Sequence, residues 1–388
     1  MVLQNVVIVG TDAPVNIRVG NGTITDIKPG SGGGEKQDGG LTFSNAIVFP
    51  GLINSHDHLD FNQFPALGGK FFSNYTEWGN YIHEAYKDEI AAVLNIPAQL
   101  RYQWGVYKNL LCGVTTVVNH GEKTGLTNTP ISIFEEAHCL HSVGFEKHWK
   151  IKLNNPVKMS LLVNIHTGEG TDTRSATEID RLIKFNFLKR ELIGVHAVAM
   201  SAAQAKHFRA VVWCPETNFF LLNRTAKIDI LNKHTTILFG TDSTLTGNWN
   251  IWEHLRLARK TGMLSDEGLF ATLNTNPANA WRLNSGYIAP GRDADLVVAK
   301  KPSGENGYNS FFALDPGGIL LVMHKGTISL FDEELLPQMR GVDLAGFSRI
   351  SLGANCKYVK GDLPALIKQI REHQPGAKFP VITKSARV

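Results

Sequence analysis

Residues 49–58 carry the most informative pattern in this chain: Phe49-Pro50-Gly51-Leu52-Ile53-Asn54-Ser55-His56-Asp57-His58. They continue an apolar run from Ala46, pass through a Pro-Gly turn and end in two histidines one residue apart. The apolar run is typical of a buried strand bounded by turn residues. Residues i and i+2 of an extended segment point the same way, so both imidazoles can face one space. Imidazole nitrogen is a common ligand of divalent metal ions. A His-x-His pair also occurs by chance or as a hydrogen-bonded surface pair, so further residues are needed.

Three later segments have the same form, an apolar β-type run that ends in a side chain able to bind a metal. Residues 161–165 lead to His166, with Glu169 three residues later. Residues 192–195 lead to His196, and residues 236–241 lead to Asp242. In a parallel α/β barrel the carboxyl ends of the strands form the face where active sites are built. The order and spacing of these segments therefore predict that their polar residues meet at one end of a barrel.

Seven motifs between residue 46 and about residue 300 make the chain resemble the amidohydrolase superfamily, in particular its cytosine deaminase and chlorohydrolase-like branch. They are PGLINSHDHL, GVTTVVNHG, NIHTGEGTD, GVHAVAM, VVWCPETN, LFGTDS and GYIAPGRDADLVV. The resemblance implies a metal-dependent hydrolase of the α/β class. Its expected fold is a TIM-type (β/α)8 barrel beside a small composite β-sandwich made from both ends of the chain.

Three parts are predicted along the chain. Residues 1–48 and 287–345 are expected to form the composite β-sandwich, and residues 49–286 the catalytic barrel. Residues 346–388 are expected to form a C-terminal extension with a docking helix, in which Asp362 is a suitable N-cap.

Two stretches are expected to be irregular. The segment from Pro29 to Gly40 contains six glycines and is predicted to form a loop. The barrel is expected to be irregular around strands 3 and 4. Ala137 to Phe145 supplies a strand 3, but only a weak candidate near Trp149 to Leu153 remains for strand 4.

The resemblance assigns His56, His58, His166 and Asp242 as ligands of one divalent ion, zinc or ferrous iron. Three neutral imidazoles and one carboxylate suit either ion and leave a position for water. The bound ion would lower the pKa of that water, so that hydroxide is available near neutral pH. In the same scheme Asp242 also accepts the water's proton, and His196 hydrogen-bonds the water or the developing tetrahedral centre. Glu169 is the expected acid/base, moving a proton to a ring nitrogen and then to the leaving amine.

Substrate contacts are predicted from loop position alone, at Gln63, Trp78, His120 and Asn218. For His120 the choice is open between a substrate contact and a group that orients a metal ligand. The expected mixture of aromatic, amide and carboxylate groups at the barrel mouth suits a flat polar ring.

The leading functional hypothesis is hydrolytic deamination of an amino-substituted heterocycle, or a related C–N or C–Cl hydrolysis at an aromatic carbon. One alternative is a dinuclear amide or cyclic-amide hydrolase, which needs a bridging carboxylated lysine or acid from strand 3 or 4. No lysine there clearly ends a strand, and Glu169 after His166 favours one metal. The lysines in that region are Lys147, Lys150, Lys152 and Lys158. Another alternative is an inactive scaffold of the same fold, against which the retained ligands and Glu169 argue.

The composition of the chain excludes several other classes of function. The 388 residues carry a net charge of only +4 without a dense basic block, so nucleic-acid binding is not expected. No run of about 18 apolar residues predicts a membrane span, and no secretion signal is recognised at the N-terminus. The four cysteines are far apart and form no CxxC pair, which is typical of buried thiols in a reducing cytoplasm. The expected partner is a small-molecule substrate, and the resemblance leaves a homodimer open.

Overall fold

The computed structural model describes residues 1–30 and 40–383. The interior of the predicted glycine-rich loop lies outside these residues. In the described part of the chain, no helix is both long and apolar enough to cross a membrane.

The strands are numbered in chain order. They are β1 (Val2–Ile8), β2 (Pro14–Gly20), β3 (Thr23–Pro29), β4 (Gly40–Thr42), β5 (Ala46–Pro50), β6 (Leu52–Asp57), β7 (Val114–Asn119), β8 (Ser132–Phe134), β9 (Ala137–Ser142), β10 (Leu162–Thr167), β11 (Leu192–His196), β12 (Ala210–Trp213), β13 (Thr236–Phe239), β14 (Leu296–Lys300), β15 (Ile319–His324), β16 (Thr327–Asp332), β17 (Phe347–Leu352), β18 (Asn355–Lys360) and β19 (Val381–Ile382).

The α-helices follow the same convention. They are α1 (Tyr75–Ala85), α2 (Lys87–Leu94), α3 (Ala98–Leu111), α4 (Trp149–Leu153), α5 (Thr173–Lys184), α6 (Ala202–Ala205), α7 (Pro215–Leu222), α8 (Ile228–Leu231), α9 (Ile251–Lys260), α10 (Asp266–Ala271), α11 (Thr275–Trp281), α12 (Gly307–Phe312) and α13 (Leu363–His373). Short 3₁₀ helices cover Leu59–Phe61, Pro156–Lys158, Pro316–Gly318 and Glu333–Gln338.

The central part of the chain forms the predicted barrel from parallel strands. Strands β6, β7 and β8 pair in one sheet, and β9 to β13 pair in chain order in a second sheet. The backbone N–H groups of Thr241 and Asp242, just after β13, donate to the carbonyl oxygen of His56 at 3.1 and 3.0 Å. These bonds join the last barrel strand to the first at their carboxyl ends. The predicted TIM-type architecture is therefore confirmed.

The expected irregularity around strands 3 and 4 is confirmed. Only Glu135 and Glu136 separate β8 from β9, while β8 pairs with β7 and β9 pairs with β10. A single stretch of chain therefore forms barrel strands 3 and 4 in succession, with no helix between them. The weak strand-4 candidate was wrong, because residues 149–153 are the helix α4. Its buried residues Trp149 and Leu153 are four positions apart, which is a helical spacing.

Both ends of the chain contribute to one large sheet beside the barrel. Its strand order is β19-β17-β18-β16-β15-β14-β5-β1-β2-β3, with β4 paired to β1. Strand β5 continues into β6 across Gly51, so the sheet leads directly into the first barrel strand. A Cβ atom at Gly51 would overlap the side chain of Thr115 in β7. This close approach explains the glycine in the Pro-Gly turn.

The C-terminal extension contains the predicted docking helix, α13. Asp362 caps it by accepting a hydrogen bond from the backbone of Ala365 at 3.0 Å, and its apolar face is buried. The extension packs on α3: Tyr107 donates to the carbonyl of Lys360 at 3.0 Å, and the rings of Trp104 and Phe379 meet edge to face at 4.7 Å. Helix α3 also supplies residues beneath the candidate site, so the extension supports that site from behind.

Candidate metal centre and active site

Histidines and two carboxylates from most of the barrel strands converge at the carboxyl end of the barrel. The first strand contributes His56 and His58, and later strand ends contribute His120, His141, His166, His196, Glu169 and Asp242. All are buried except the half-buried His58 and the exposed His141. This convergence is the arrangement predicted from the spacing of the strand ends.

Three short distances between donor atoms link the four predicted ligands. His56 Nε2 lies 3.1 Å from His166 Nε2 and 3.6 Å from Asp242 Oδ1. His58 Nε2 lies 3.7 Å from the same Asp242 oxygen. Donors bound tetrahedrally to zinc at about 2.0–2.1 Å are about 3.3 Å apart. These three distances are close to that value, but within the described residues the groups whose donor atoms all lie within 4.8 Å of one another combine His56 and His166 with His120, and His56 and Asp242 with His196. The cluster therefore suits a metal ion, while His58 stands outside both groups.

Asp242 is oriented so that one oxygen remains for this centre. Its Oδ2 accepts hydrogen bonds from the hydroxyls of Thr217 and Thr246 at 3.2 and 3.3 Å. Oδ1 is the oxygen nearest to His56 and His58. The backbone of Asp242 has a φ of 57°, in the left-handed region that non-glycine residues rarely adopt. The backbone of His196 is also in this region, with a φ of 71°. Two of the predicted catalytic residues therefore have a strained backbone conformation.

Protonation states at the centre suit metal binding. Burial lowers the pKa of His166 well below its usual range, and neighbouring imidazoles lower it further. Burial also lowers the pKa of His58, although Asp242 opposes this. For Asp242, burial alone would raise the pKa, but hydrogen bonding to His56 and nearby imidazoles outweigh burial and hold it well below its usual range. Neutral imidazoles and an ionised carboxylate are the forms that bind metals.

His196 is held in one tautomer. Its Nδ1 lies 3.0 Å from Asn218 Oδ1, and the amide nitrogen of Asn218 donates to Thr225 at 3.2 Å. Asn218 Oδ1 therefore accepts the proton of Nδ1, and Nε2 keeps its lone pair. That nitrogen faces Glu169 Oε2 at 3.6 Å and Asp242 Oδ2 at 3.9 Å. His196 thus points a hydrogen-bond acceptor into the space between the two carboxylates.

Glu169 is buried beside the space between His196 and Asp242. Its backbone carbonyl accepts a hydrogen bond from Tyr75 at 3.0 Å, and its side chain is buried. Burial raises the pKa of Glu169 well above its usual range, and the charges of Asp242 and Glu178 raise it further. A carboxyl group with a raised pKa keeps its proton to higher pH, as a general acid requires.

A buried polar network supports the His56-Asp57-His58 segment from below. Asp57 is fully buried, and its carboxylate accepts from Lys108 Nζ at 2.9 Å and from the amides of Asn62 and Asn109 at 2.8 Å each. Sequence analysis did not identify this role of Asp57. Its position between two ligands was the only available signal, because Lys108 and Asn109 lie some fifty residues away on α3.

The four predicted substrate contacts occupy different places. Asn218 orients His196, and His120 lies among the histidines. Gln63 lines a separate cavity of about 600 Å³ between the loop after β6 and the C-terminal extension. Trp78 donates its indole N–H to the carbonyl of Leu67 at 2.9 Å and packs in the apolar cluster of that loop. The sequence analysis did not select His141. This residue lies near the end of β9, just as the predicted ligands lie near the ends of other strands.

The dinuclear alternative gains no support from the four candidate lysines. All four candidate lysines are exposed, whereas the histidine cluster is largely buried. Lys150 lies over the ring of Phe185, and Lys152 pairs with Glu146. A bridging lysine is therefore not favoured.

Comparisons with known proteins agree with this fold. Residues 158–329 match the model of the amidohydrolase family. No curated protein sequence matches the chain. An adenosine deaminase from Xanthomonas campestris with bound zinc shares the fold at a TM-score of 0.70 and 16% identity, over 96% of this chain and 97% of that chain.

Two further solved structures share the fold. One is an atrazine chlorohydrolase from Arthrobacter aurescens complexed with zinc, with a TM-score of 0.64 and 15% identity over 84% of this chain and 94% of that chain. The other is a 5-methylcytosine deaminase from Klebsiella pneumoniae liganded with phosphonocytosine, with a TM-score of 0.63 and 16% identity over 84% of this chain and 97% of that chain. The family match and the shared fold agree with the resemblance inferred from the sequence motifs.

Proposed function

We propose that this protein is a metal-dependent hydrolase that removes an amino group from a heterocycle by hydrolysis. The observation that carries the proposal is the pairing of two differently tuned carboxylates at one centre. The imidazoles lower the pKa of Asp242 well below its usual range, whereas burial raises the pKa of Glu169 well above its usual range. Pairs of carboxyl groups whose pKa values are pushed apart are typical of acid/base catalysis.

One divalent ion at His56, His58, His166 and Asp242 is part of this proposal. When bound, the ion supplies the Lewis acidity that makes water a nucleophile near neutral pH. Zinc is the first candidate, because imidazole and carboxylate ligands suit it and the similar adenosine deaminase and chlorohydrolase contain it. Ferrous iron suits the same ligands.

The chain's own residues can move the protons that deamination requires. The lone pair of His196 Nε2 accepts a hydrogen bond from the attacking water and orients it. Asp242 takes a proton from that water. Glu169 gives its proton to a ring nitrogen of the substrate, which makes the adjacent carbon more electrophilic. Glu169 then regains a proton from the hydroxyl group on the attacked carbon, and the proton held by Asp242 passes to the amine as the C–N bond breaks. Water and the C–NH₂ group are thereby converted into a C=O group and ammonia.

The substrate class is proposed by analogy with solved structures that share the fold. Proteins that share the fold include deaminases of adenosine, 5-methylcytosine and guanine, which all carry an amino group on a flat nitrogen ring. Among the predicted substrate contacts, Gln63 and Trp78 remain proposals. A cytoplasmic location and a homodimer also remain predictions.

An ammonia-release screen tests the proposal. Metal-reconstituted protein would be assayed with aminopurines, aminopyrimidines and aminotriazines, with chlorotriazines included for chloride release. We expect ammonia from at least one amino-substituted ring. Hydrolysis of cyclic amides without any deamination would instead support the alternative hydrolase, and no turnover of any compound would support the inactive scaffold.

The variant Glu169→Gln tests the acid role of Glu169 separately from metal binding. We expect turnover to be lost while zinc affinity stays the same, because Glu169 is not among the ligands. Glu136→Gln, which changes an exposed carboxylate, is the matched control and should retain activity. Full activity of Glu169→Gln would refute the acid/base role.

A further inference from the structure

Two segments that are distant in sequence pair with each other beside the proposed acid. One is residues 73–75, which we call the strap, and the other is residues 168–172, the Glu169 loop. The backbone N–H of Tyr75 donates to the carbonyl oxygen of Glu169 at 3.0 Å. The strap ends at Tyr75, the first residue of α1. The Glu169 loop is therefore held by a helix that belongs to a different part of the barrel mouth.

Glycines allow the strap to come this close to the loop. Asn74 and Gly170 form an antiparallel bridge, and the backbone N–H of Thr171 donates to the carbonyl of Ser73 at 2.8 Å. A Cβ atom at Gly170 would lie only 2.7 Å from the Cβ atom of Asn74. Gly168, on the other side of Glu169, has a φ of 59°. Since glycine backbone is unusually free, the loop depends on outside contacts to hold one conformation.

The helices that begin at the strap and at the loop are joined through their N-caps. Asn74 caps α1 by accepting from the backbone N–H groups of Thr76 and Glu77 at 3.0 Å each. Asp172 caps α5 by accepting from the backbone N–H of Ser175 at 2.8 Å. The amide nitrogen of Asn74 also donates to the other oxygen of Asp172 at 2.6 Å. One side chain thus holds the start of α1 and the end of the Glu169 loop together.

The hydroxyl of Tyr75 fixes the strap to two further parts of the protein. The side chain is buried, and its hydroxyl donates to Oε2 of Glu178 at 2.9 Å. The same hydroxyl accepts from the backbone N–H of Gly144 at 3.0 Å. Glu178 lies on α5, and Gly144 follows β9. A Cβ atom at Gly144 would overlap the hydroxyl oxygen, so this glycine leaves the space that the hydroxyl fills.

We propose that Tyr75 is a positioning residue for Glu169, holding the acid in place through the strap. The inference rests on the proposed function, in which Glu169 moves protons at the centre. The Glu169 carboxylate lies 3.6 Å from His196 Nε2, while Tyr75 holds the backbone of the same residue. A shift of about 1 Å in a reacting group can cost about 100-fold in rate. The strap should therefore affect proton transfer and leave metal binding unchanged.

The variant Tyr75→Phe tests the hold on the loop without any need for turnover. It keeps the ring and the backbone bond to Glu169 but removes the hydroxyl. Hydrogen–deuterium exchange of zinc-reconstituted protein, read by mass spectrometry, would follow peptides that cover the Glu169 loop. We expect exchange there to be at least about tenfold faster. The matched control is Tyr81→Phe on the same helix, whose ring packs on Phe72, and it should change the exchange less than about twofold.

Steady-state kinetics with a substrate from the ammonia-release screen tests the effect on the acid. We expect Tyr75→Phe to lower kcat by about 10- to 100-fold. KM should stay within about threefold, because Glu178 and Gly144 already engage the hydroxyl. Zinc affinity should be unchanged, because Tyr75 is not among the proposed ligands. A merely structural role would lower the free energy of unfolding and leave kcat of the folded protein unchanged.

Two further variants keep the test decisive. Glu178→Gln retains an oxygen that can accept from the Tyr75 hydroxyl, so loop exchange should stay within about twofold of the unmodified protein. Asn74→Asp retains the cap of α1 but places a carboxylate against Asp172 in place of the donor. It should therefore speed loop exchange as Tyr75→Phe does. Asn74→Asp replaces Tyr75→Phe if circular dichroism shows that the latter does not fold.

Two results would overturn the proposal. One is loop exchange in Tyr75→Phe within twofold of the unmodified protein, and the other is faster exchange with an unchanged kcat. Absence of ammonia release would overturn the deaminase, while loop exchange still decides whether Tyr75 holds the Glu169 loop. Ammonia release by the unmodified protein together with unchanged loop exchange in Tyr75→Phe would overturn only the inference about Tyr75.

Discussion

The ion pair between Lys108 and Asp57 gives the sharpest prediction about how the centre is supported. Both side chains are almost completely buried, and Lys108 Nζ lies 2.9 Å from Asp57 Oδ2. Lys108→Met removes the cation and leaves the carboxylate in place between two proposed metal ligands. We expect this variant to be destabilised and to bind metal less tightly.

The size of the effect follows from what remains around Asp57. Removing one partner of a buried ion pair typically costs about 3–5 kcal/mol, because it leaves a buried charge uncompensated. The carboxylate would still accept from the amides of Asn62 and Asn109 at 2.8 Å each and from Asn54 at 3.2 Å. These donors keep the cost near the lower end, at about 3 kcal/mol.

Urea denaturation of the metal-free protein, followed by tryptophan fluorescence, measures this cost. Lys87→Met, at an exposed lysine of α2, is the matched control and should change stability by less than about 0.5 kcal/mol. Combining Lys108→Met with Asp57→Asn removes both charges. The double variant should be more stable than the sum of the single effects predicts, by at least about 1 kcal/mol. A loss below about 1 kcal/mol in Lys108→Met, or strict additivity in the double variant, would refute this reasoning.

Two further predictions concern neighbouring residues. Asn218→Ala should reduce kcat by about 10- to 100-fold at unchanged zinc affinity, because His196 loses the acceptor that fixes its tautomer. Steady-state kinetics would show it, and Asn218→Asp, which keeps an acceptor, should restore much of the activity. Burial raises the pKa of Glu178 from its ordinary 4.5 to about 7, so the folded protein holds a proton that the unfolded chain has lost. Stability should therefore fall as pH rises from 4.5 to 7, by on the order of 3 kcal/mol relative to Glu178→Gln. Parallel pH dependences of the two unfolding free energies would contradict this.

The convergence of the proposed ligands was predictable from the sequence, because barrel geometry brings the ends of the strands together. An apolar run that ends in His166, His196 or Asp242 needs no further information to place its last side chain. The capping of α13 by Asp362 was predictable for a similar local reason. These features depend on short stretches with one strong pattern each.

Features that depend on distant contacts could not be derived in this way. Lys108 looks like an ordinary helical lysine in the sequence, and only packing of α3 under β6 buries it against Asp57. The tautomer of His120 depends on a carbonyl twenty residues away. The division of this stretch into β8 and β9 could not be predicted either, because a two-residue break in an extended segment leaves no periodic signal.

Metal content per chain tests the central claim most directly. It would be measured by elemental analysis of protein purified without chelator, and again after reconstitution with zinc or ferrous iron. We predict about one divalent ion per chain, bound at the centre formed by His56, His58, His166 and Asp242. Two ions per chain would contradict the single centre, and no bound ion even after reconstitution would contradict the proposed metal-dependent hydrolase altogether.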